Sequence, residues 1–213
     1  MGADLACPKS AAAPSVVTHL DVETRVATRA DAAGLASLFA RAESPCFCRY
    51  WHFVGDTNAW LEKCAVAPDT NREEFEHALS CASDEARGIV AVTATQIVGW
   101  LKVAPATSMR KAYERRFYKS LPCFEGDRDG VFLIGCMLVD PAMRHHGVAM
   151  TLVQRAMRLS KDFGARILEA MPRRPSEPVS DEELWTGPAN IFVACGFEQV
   201  SDFGPYPVFR RRL

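Results

Sequence analysis

The fold of this chain is decided by the stretch Val131-Phe-Leu-Ile-Gly-Cys-Met-Leu-Val139, followed by Asp140-Pro-Ala-Met-Arg144-His-His-Gly147-Val-Ala149. Its apolar first half predicts a buried strand. The strand ends at Asp140-Pro141, because proline has no N–H for a ladder and biases its predecessor away from helix. From Val148 onward, apolar residues recur at the spacing of an amphipathic helix. A helix start offers unpaired N–H groups and the positive end of its dipole, and glycine lets a ligand approach the main chain. The stretch therefore predicts an anion-binding strand, turn and helix.

The segment from Arg144 to Ala149 also matches a known pattern, Q/R-x-x-G-x-G/A, and resembles the corresponding motif of the GNAT-type acyl-CoA N-acyltransferases. The order of the surrounding elements is similar to that superfamily over residues 24 to 213. The elements predicted are a strand Thr24–Arg29, a helix capped by Asp31, a hairpin of Ile89–Thr93 and Ile97–Val103, a strand Arg166–Ala170, a helix Trp185–Ala194 ended by Gly196, and a closing strand Phe203–Leu213. The resemblance implies an α+β fold of three layers. Its central sheet is mixed but mostly antiparallel, has six or seven strands flanked by helices, and is splayed between strands 4 and 5.

A closer resemblance exists to bacterial members of the superfamily that carry a Cys-x-Cys-aromatic segment after the first helix. Here that segment is Cys46-Phe-Cys48-Arg-Tyr-Trp51, and the fourth strand contains Cys136. The group's Trp/Tyr-x-Gly ending, which closes in Gly-Phe, corresponds to residues 185–197. The resemblance defines no substrate.

Composition excludes several function classes. The 213 residues are 48% hydrophobic and carry a formal net charge of −1, so no basic field favours nucleic acid or an anionic membrane. No run reaches the about 18 apolar residues that span a bilayer. Residues 1–22 are predicted to form a flexible tail without a secretion signal, and residues 23–213 a single domain. A cytoplasmic location follows as an expectation. The basic end Arg210–Arg212 is either a solvated strand end or a contact for CoA phosphates.

The eight cysteines have irregular spacing and are interpreted as reduced thiols. Cys46 and Cys48 with His52 and Cys64 fall short of the paired spacing of zinc sites, so no metal is predicted. The favoured interpretation is that this cysteine- and aromatic-rich segment packs beside an acceptor pocket. Residues 108–119 are predicted to form a basic helical insertion, either a solvated helix or the rim of that pocket.

The resemblance implies an enzyme that transfers an acetyl group, or another short acyl group, from acyl-CoA to a primary amine in a ternary complex. The acceptor would be a small molecule or a peptide, and a sheet-edge homodimer is a possible assembly. The fourth strand would supply the oxyanion donor and hold the pantetheine arm, while the turn would hold the pyrophosphate. The implied cofactor-binding residues are Met137, Leu138, Val139, Arg144, His145, His146, Gly147, Val148, Ala149, Asn190 and Phe192.

The catalytic groups are less well defined. Glu169 in the fifth strand is either a general base acting through water or a sheet-face carboxylate paired with arginine. Cys136 is either a nucleophile or proton carrier, or a small buried hydrophobe. Phe192 stands where many relatives have the tyrosine that protonates the departing thiolate, so Cys195, Tyr206 or water would replace it, or the thiolate leaves unaided.

These departures keep a second class of function open. The missing tyrosine, the missing strand glutamate and the abundance of cysteine favour a non-catalytic acyl-CoA-binding or thiol-based sensory module. A zinc protein is a third class, which stoichiometric metal in purified material would identify.

Overall fold

A computed structural model describes residues 22–213, and its strands form one sheet. The predicted tail lies outside the described residues except for Val22. The strands are β1 (Glu23–Val26), β2 (Gly88–Val92), β3 (Ile97–Pro105), β4 (Val131–Val139), β5 (Ile167–Ala170), β6 (Glu198–Ser201) and β7 (Val208–Arg212). Their order is β1-β2-β3-β4-β5-β7-β6, in which β4 and β5 pair in parallel and the other neighbours are antiparallel. The predicted fold class is confirmed.

Helices cover both faces of the sheet. They are α1 (Ala32–Arg41), α2 (Thr57–Val66), α3 (Pro68–Ser80), α4 (Arg110–Tyr113), α5 (Val148–Asp162) and α6 (Ala189–Ala194). One apolar core joins α1 and α3 to the face of the sheet that carries Trp100 and Leu133. A second core joins α5 and α6 to the opposite face, where Ile134 and Leu168 lie. None of the helices in residues 22–213 has the length and hydropathy needed to cross a bilayer.

The sheet opens between β4 and β5, as predicted. Their pairing runs from Val131 opposite Ile167 to Ile134 opposite Ala170, whereas β4 continues to Val139 along β3 alone. The register of β3 against β4 shifts at this point, which leaves Gly135 as the extra residue of a bulge. A Cβ on Gly135 would overlap the terminal methyl group of Met109 and lie 3.0 Å from the Trp51 indole nitrogen, so these side chains would have to shift. Beyond the bulge, the edge of β4 that faces away from β3 borders a notch.

Two predicted elements near the C-terminal end of the chain differ in extent, and one strand was not predicted. The helix predicted from Trp185 begins only at Ala189, because Gly187 takes a left-handed φ of 86° and Pro188 is extended. The closing strand begins at Val208, and the antiparallel strand β6 before it was not predicted.

The region of residues 108–119, predicted to be either a solvated helix or the rim of the acceptor pocket, is not a solvated helix. Only α4, four residues long, is helical there. Met109, Ala112 and Tyr118 are at most 1% exposed and belong to the core on the α1 side. The apolar side chains between the basic residues therefore outweigh the charges in deciding how this segment packs.

Candidate active site

The turn that joins β4 to α5 is fixed by Asp140. Its side chain accepts the Ala142 N–H at 3.0 Å and pairs with Arg41 at 2.6 Å. Arg41 also donates to the carbonyl of Ile97 at 2.8 Å, which connects the end of α1 to the start of β3. Asp140 is only 4% exposed, so its carboxylate needs these partners. The phosphate-binding turn predicted from sequence is thus held by an ion pair that the sequence did not reveal.

The start of α5 presents open backbone amides. Gly147 is the N-cap, with φ 85°, and no side chain among residues 22–213 caps the helix there. The main-chain ladder begins with the Thr151 N–H, which donates to the Gly147 carbonyl at 3.0 Å. The amides before Thr151 therefore have no partner within the helix. A Cβ added to Gly147 would meet no described atom within 4 Å, and Gly147 lines the cavity described next.

A cavity of about 540 Å³ lies between this helix start, the open edge of β4 and the loop that precedes α6. Nine of the predicted cofactor-binding residues line it, namely Met137, Leu138, Val139, Arg144, His145, Gly147, Val148, Ala149 and Asn190. The loop after α1 (residues 42–44) and the segment 181–185 complete the wall. The size and the mixture of apolar and polar groups are typical of a ligand site.

Two predicted cofactor-binding residues lie elsewhere. The His146 ring turns back to the carbonyl of Arg144, at 2.6 Å from Nδ1, because His145 before it takes a left-handed φ of 62°. Phe192 is fully buried, 5.4 Å from the ring of Phe197, and fills the core on the α5 side. Phe192 therefore belongs to the core and does not line the cavity.

Acidic side chains form hydrogen bonds with the basic side chains of the turn. Arg144 Nη1 lies 2.5 Å from Glu182 Oε1, and His145 Nε2 lies 3.1 Å from Asp181 Oδ2. The hydrogen bond from Arg144 lowers the pKa of Glu182 to about 2. These partners were not predicted, although the run of acids at 181–183 was the available signal. A phosphate in this cavity would compete with carboxylates for Arg144.

The open edge of β4 also has a partner from this segment. The Met137 N–H donates to the carbonyl of Trp185 at 2.7 Å, while the Asp140 N–H donates to β3 at the carbonyl of Val98. Because N–H groups alternate in direction along a strand, that of Val139 points to the same side as that of Met137. Val139 therefore directs an amide toward the cavity.

Glu169 lies outside the cavity, at the centre of an ion-pair network. It is 0% exposed and accepts hydrogen bonds from Arg128 at 2.6 Å, Arg210 at 2.6 Å and the Tyr113 hydroxyl at 2.9 Å. This arrangement matches the second interpretation given above, a sheet-face carboxylate paired with arginine. Three donors surround the carboxylate, and Glu169 does not line the cavity. Its role as a base acting through water stays a prediction.

Cys136 is also outside the cavity lining, behind Trp51. Its sulfur accepts the Trp51 indole N–H at 3.2 Å, and the Trp51 ring lies 5.3 Å from that of Trp185 on the cavity wall. Burial raises the pKa of the Cys136 thiol well above its ordinary value. A neutral thiol covered by an indole is a poor nucleophile toward a thioester in the cavity.

The residues considered for zinc do not form a metal site. Within the part of the chain that the structure describes, no group of three or more His, Cys, Asp and Glu side chains is placed to hold an ion. Cys48 instead accepts the Trp100 indole N–H at 3.3 Å. Burial lowers the pKa of His52 to about 3, with Lys102 and Arg49 acting in the same direction.

The comparison with known proteins defines the class to which this fold and cavity belong. Residues 50–179 match the acetyltransferase (GNAT) family, and the chain therefore belongs to that family. No curated protein matches the sequence.

Solved structures share the fold over nearly the whole described chain. The PaiA N-acetyltransferase of Thermoplasma acidophilum, in complex with coenzyme A, has a TM-score of 0.52 at 10% identity, covering 91% of this chain and 99% of that one. A GCN5-related N-acetyltransferase from Kribbella flavida has a TM-score of 0.53 at 17% identity, covering 90% and 98%. YncA from Salmonella typhimurium, with its cofactor acetyl-CoA, has a TM-score of 0.51 at 14% identity, covering 90% and 94%.

Proposed function

We propose that this protein transfers an acetyl group, or another short acyl group, from acyl-CoA to a primary amine of a small molecule or peptide, directly within a ternary complex. The observation that carries the proposal is that one cavity contains both the open amides before Thr151 and the free edge of β4. The open amides suit a diphosphate, and the free strand edge suits an extended chain that carries amide groups. Family membership supplies the reaction class.

The residues at the start of α5 fit the diphosphate of coenzyme A. Gly147 leaves its amide uncovered, and Val148 and Ala149 follow it in the first turn of the helix, where the dipole favours an anion. Arg144 would contribute positive charge, and His145 a ring N–H donor, after exchanging Glu182 and Asp181 for phosphate oxygens. Asn190, exposed on the opposite wall, would hydrogen-bond the pantetheine arm.

The chain must also stabilise the developing charge. Attack on a thioester creates an oxyanion, which a preorganised backbone N–H stabilises. We assign this role to the Val139 amide, because the neighbouring Met137 amide already has Trp185 as its partner.

A base is needed as well, because an amine attacks only when neutral and an alkylamine has a pKa of about 10.4. Glu43 lines the same cavity and makes no ion pair within residues 22–213. Its left-handed backbone, with φ 49°, ends α1, because the N–H groups of Glu43 and Ser44 donate to the carbonyls of Ala40 and Phe39. We propose Glu43 in place of Glu169 as the proton acceptor.

The test is release of coenzyme A from acetyl-CoA across a panel of polyamines, amino acids and peptides, with the acylated amine identified by mass spectrometry. We expect turnover that depends on one class of amine and that Glu43→Gln depresses most strongly at low pH. Tight binding of coenzyme A without turnover on any amine would instead support an acyl-CoA-binding module. The single domain over residues 23–213, the cytoplasmic location, the homodimer and the Cys-x-Cys subgroup stay predictions.

A further inference from the structure

A short acidic segment of the chain forms one wall of the candidate active site. We call it the acidic strap, and it consists of residues 181–185, between strand β5 and helix α6. Four of its five residues line the cavity, and Glu183 does not. Residues Asp181–Leu184 form a single turn of 3-10 helix, and the Gly187 N–H donates to the Leu184 carbonyl at 2.7 Å. The strap is therefore one compact unit, and a ligand that displaces one end also moves the other.

The first end of the strap lies where the coenzyme diphosphate is proposed to bind. Arg144 Nη1 is 2.5 Å from Glu182 Oε1, and His145 Nε2 is 3.1 Å from Asp181 Oδ2. The two carboxylates thus hold the donors that phosphate oxygens would use. The side chains of Glu182 and Asp181 are 58% and 40% exposed, so water weakens both contacts. A ligand can displace them at low cost.

The other end of the strap lies on the open edge of β4. The Met137 N–H donates to the Trp185 carbonyl at 2.7 Å, and this N–H could otherwise bind a carbonyl of an extended pantetheine chain. The Trp185 ring packs on Trp51, with ring centroids 5.3 Å apart, and keeps 37% of its surface exposed. The strap therefore presents two carboxylates and a carbonyl to the site, which correspond to the two halves of coenzyme A.

The two flanks of the strap are held differently. On the α6 side, Thr186 is 6% exposed, and a Cβ on Gly187 would lie 3.1 Å from the Phe192 ring, so this flank is packed against the core. On the other side, residues 175–179 include two prolines and make no main-chain hydrogen bond within residues 22–213. The strap can therefore swing about its α6 flank without breaking the sheet.

A diphosphate has one advantage over the strap. The N–H groups of Val148, Ala149 and Met150 have no main-chain acceptor among the residues that the structure describes, so the strap leaves them open. A diphosphate would use these amides and the positive end of the α5 dipole in addition to Arg144. The ligand therefore gains contacts that the strap does not make.

We propose that the acidic strap is an internal competitor for coenzyme A, which closes both halves of the coenzyme site until the ligand displaces it. This regulation rests on the function proposed above, because it concerns the same site. Since one unit closes both halves, a ligand of either half must open the strap, and the other half is then already free. The strap thereby couples the two halves, and their ligands bind with positive cooperativity.

The experiment uses the full chain and the two halves of coenzyme A as separate probes, adenosine 3′-phosphate 5′-diphosphate and pantetheine. Calorimetric or ligand-observed NMR titrations measure the dissociation constant of each probe, first alone and then with the other probe at saturation. We expect each probe to tighten the binding of the other by about fivefold or more, which is the lower end of ordinary coupling between two sites.

A double variant, Asp181→Asn with Glu182→Gln, removes the charges that the strap places on Arg144 and His145. It should tighten coenzyme A binding by about three- to tenfold, the range of two exposed polar contacts, and reduce the cooperativity of the two probes. Glu183→Gln is the matched control. Glu183 pairs with Arg173 at 2.5 Å and does not line the cavity, so this variant should change neither quantity.

Displacement of the strap is measured by digestion with a glutamate-specific protease. Saturating coenzyme A should accelerate cleavage after Glu182 by about threefold or more, because an opened segment is a preferred site of cleavage, whereas cleavage after the exposed Glu125 should keep its rate. Coenzyme A that binds without accelerating cleavage after Glu182 overturns the proposal, and so do two probes that bind independently. Coenzyme A that binds neither the unsubstituted protein nor the double variant would end the proposed function as well.

Discussion

Gly147→Ala is the substitution that most directly tests the anion site, because it adds one methyl group where a ligand would lie. The methyl would contact no described atom within 4 Å, so no steric clash within residues 22–213 opposes it. It does force an L-residue into φ 85°. That conformation costs about 1–2 kcal/mol for a residue with a Cβ.

Gly164 supplies a matched control at the other end of α5. Its φ is 86°, its added Cβ also meets nothing within 4 Å, and it does not line the cavity. Gly164→Ala should therefore have the same backbone cost of about 1–2 kcal/mol. For a domain of this size each kcal/mol lowers the melting temperature by about 2–4 °C.

The two variants should differ in ligand binding. The methyl group added at Gly147 would push a diphosphate away from the amides behind it, and each lost hydrogen bond to a charged group costs about 1.5–3 kcal/mol. Gly147→Ala should thus weaken coenzyme A binding by about 10- to 100-fold, since 1.4 kcal/mol is tenfold. Gly164→Ala should leave it unchanged. Calorimetric titration and thermal melts measure both quantities, and equal affinities for the two variants would refute the placement of the diphosphate.

Three further predictions concern ionisable residues. Glu182→Gln should tighten coenzyme A binding by about two- to fivefold, the range of an exposed ion pair, and the gain should disappear at high salt. Glu183→Gln should leave coenzyme A binding unchanged. Equal effects of the two substitutions would mean that only net charge matters. Glu169→Gln should lower the free energy of unfolding by about 3–5 kcal/mol in urea titrations, because Arg128 and Arg210 lose their charged partner. An unchanged free energy of unfolding would contradict the ion-pair role of Glu169. His52 has a folded pKa of about 3, below its unfolded value, so the free energy of unfolding should fall as pH decreases from about 6.5. His52→Phe should flatten that dependence in urea titrations at pH 7 and pH 5. A pH dependence equal to that of the unsubstituted protein would count against the buried neutral ring.

Local pattern was a good guide to the elements and a poor guide to their ends. The predicted range of β4 and the predicted start of α5 agree with the structure, because the apolar run, the proline and the helical period act over a few residues. The helix predicted from Trp185 failed because Gly187 interrupts a sequence whose apolar spacing is otherwise helical. The basic residues of 108–119 were interpreted as a solvated helix or a pocket rim, whereas Met109 and Tyr118 are buried in the core.

The sequence by itself determined the unit that makes the candidate site possible: a strand with a turn that leaves amides open before Thr151. The tertiary structure alone decided the partners of the charged and sulfur-containing side chains. Glu182 reaches Arg144 across 38 positions, Arg210 reaches Glu169 across 41, and Arg41 reaches Asp140 across 99. Helical and strand periods reflect neighbours within a few residues, whereas these pairs are set by how the sheet orders its strands and which loops meet at its open edge.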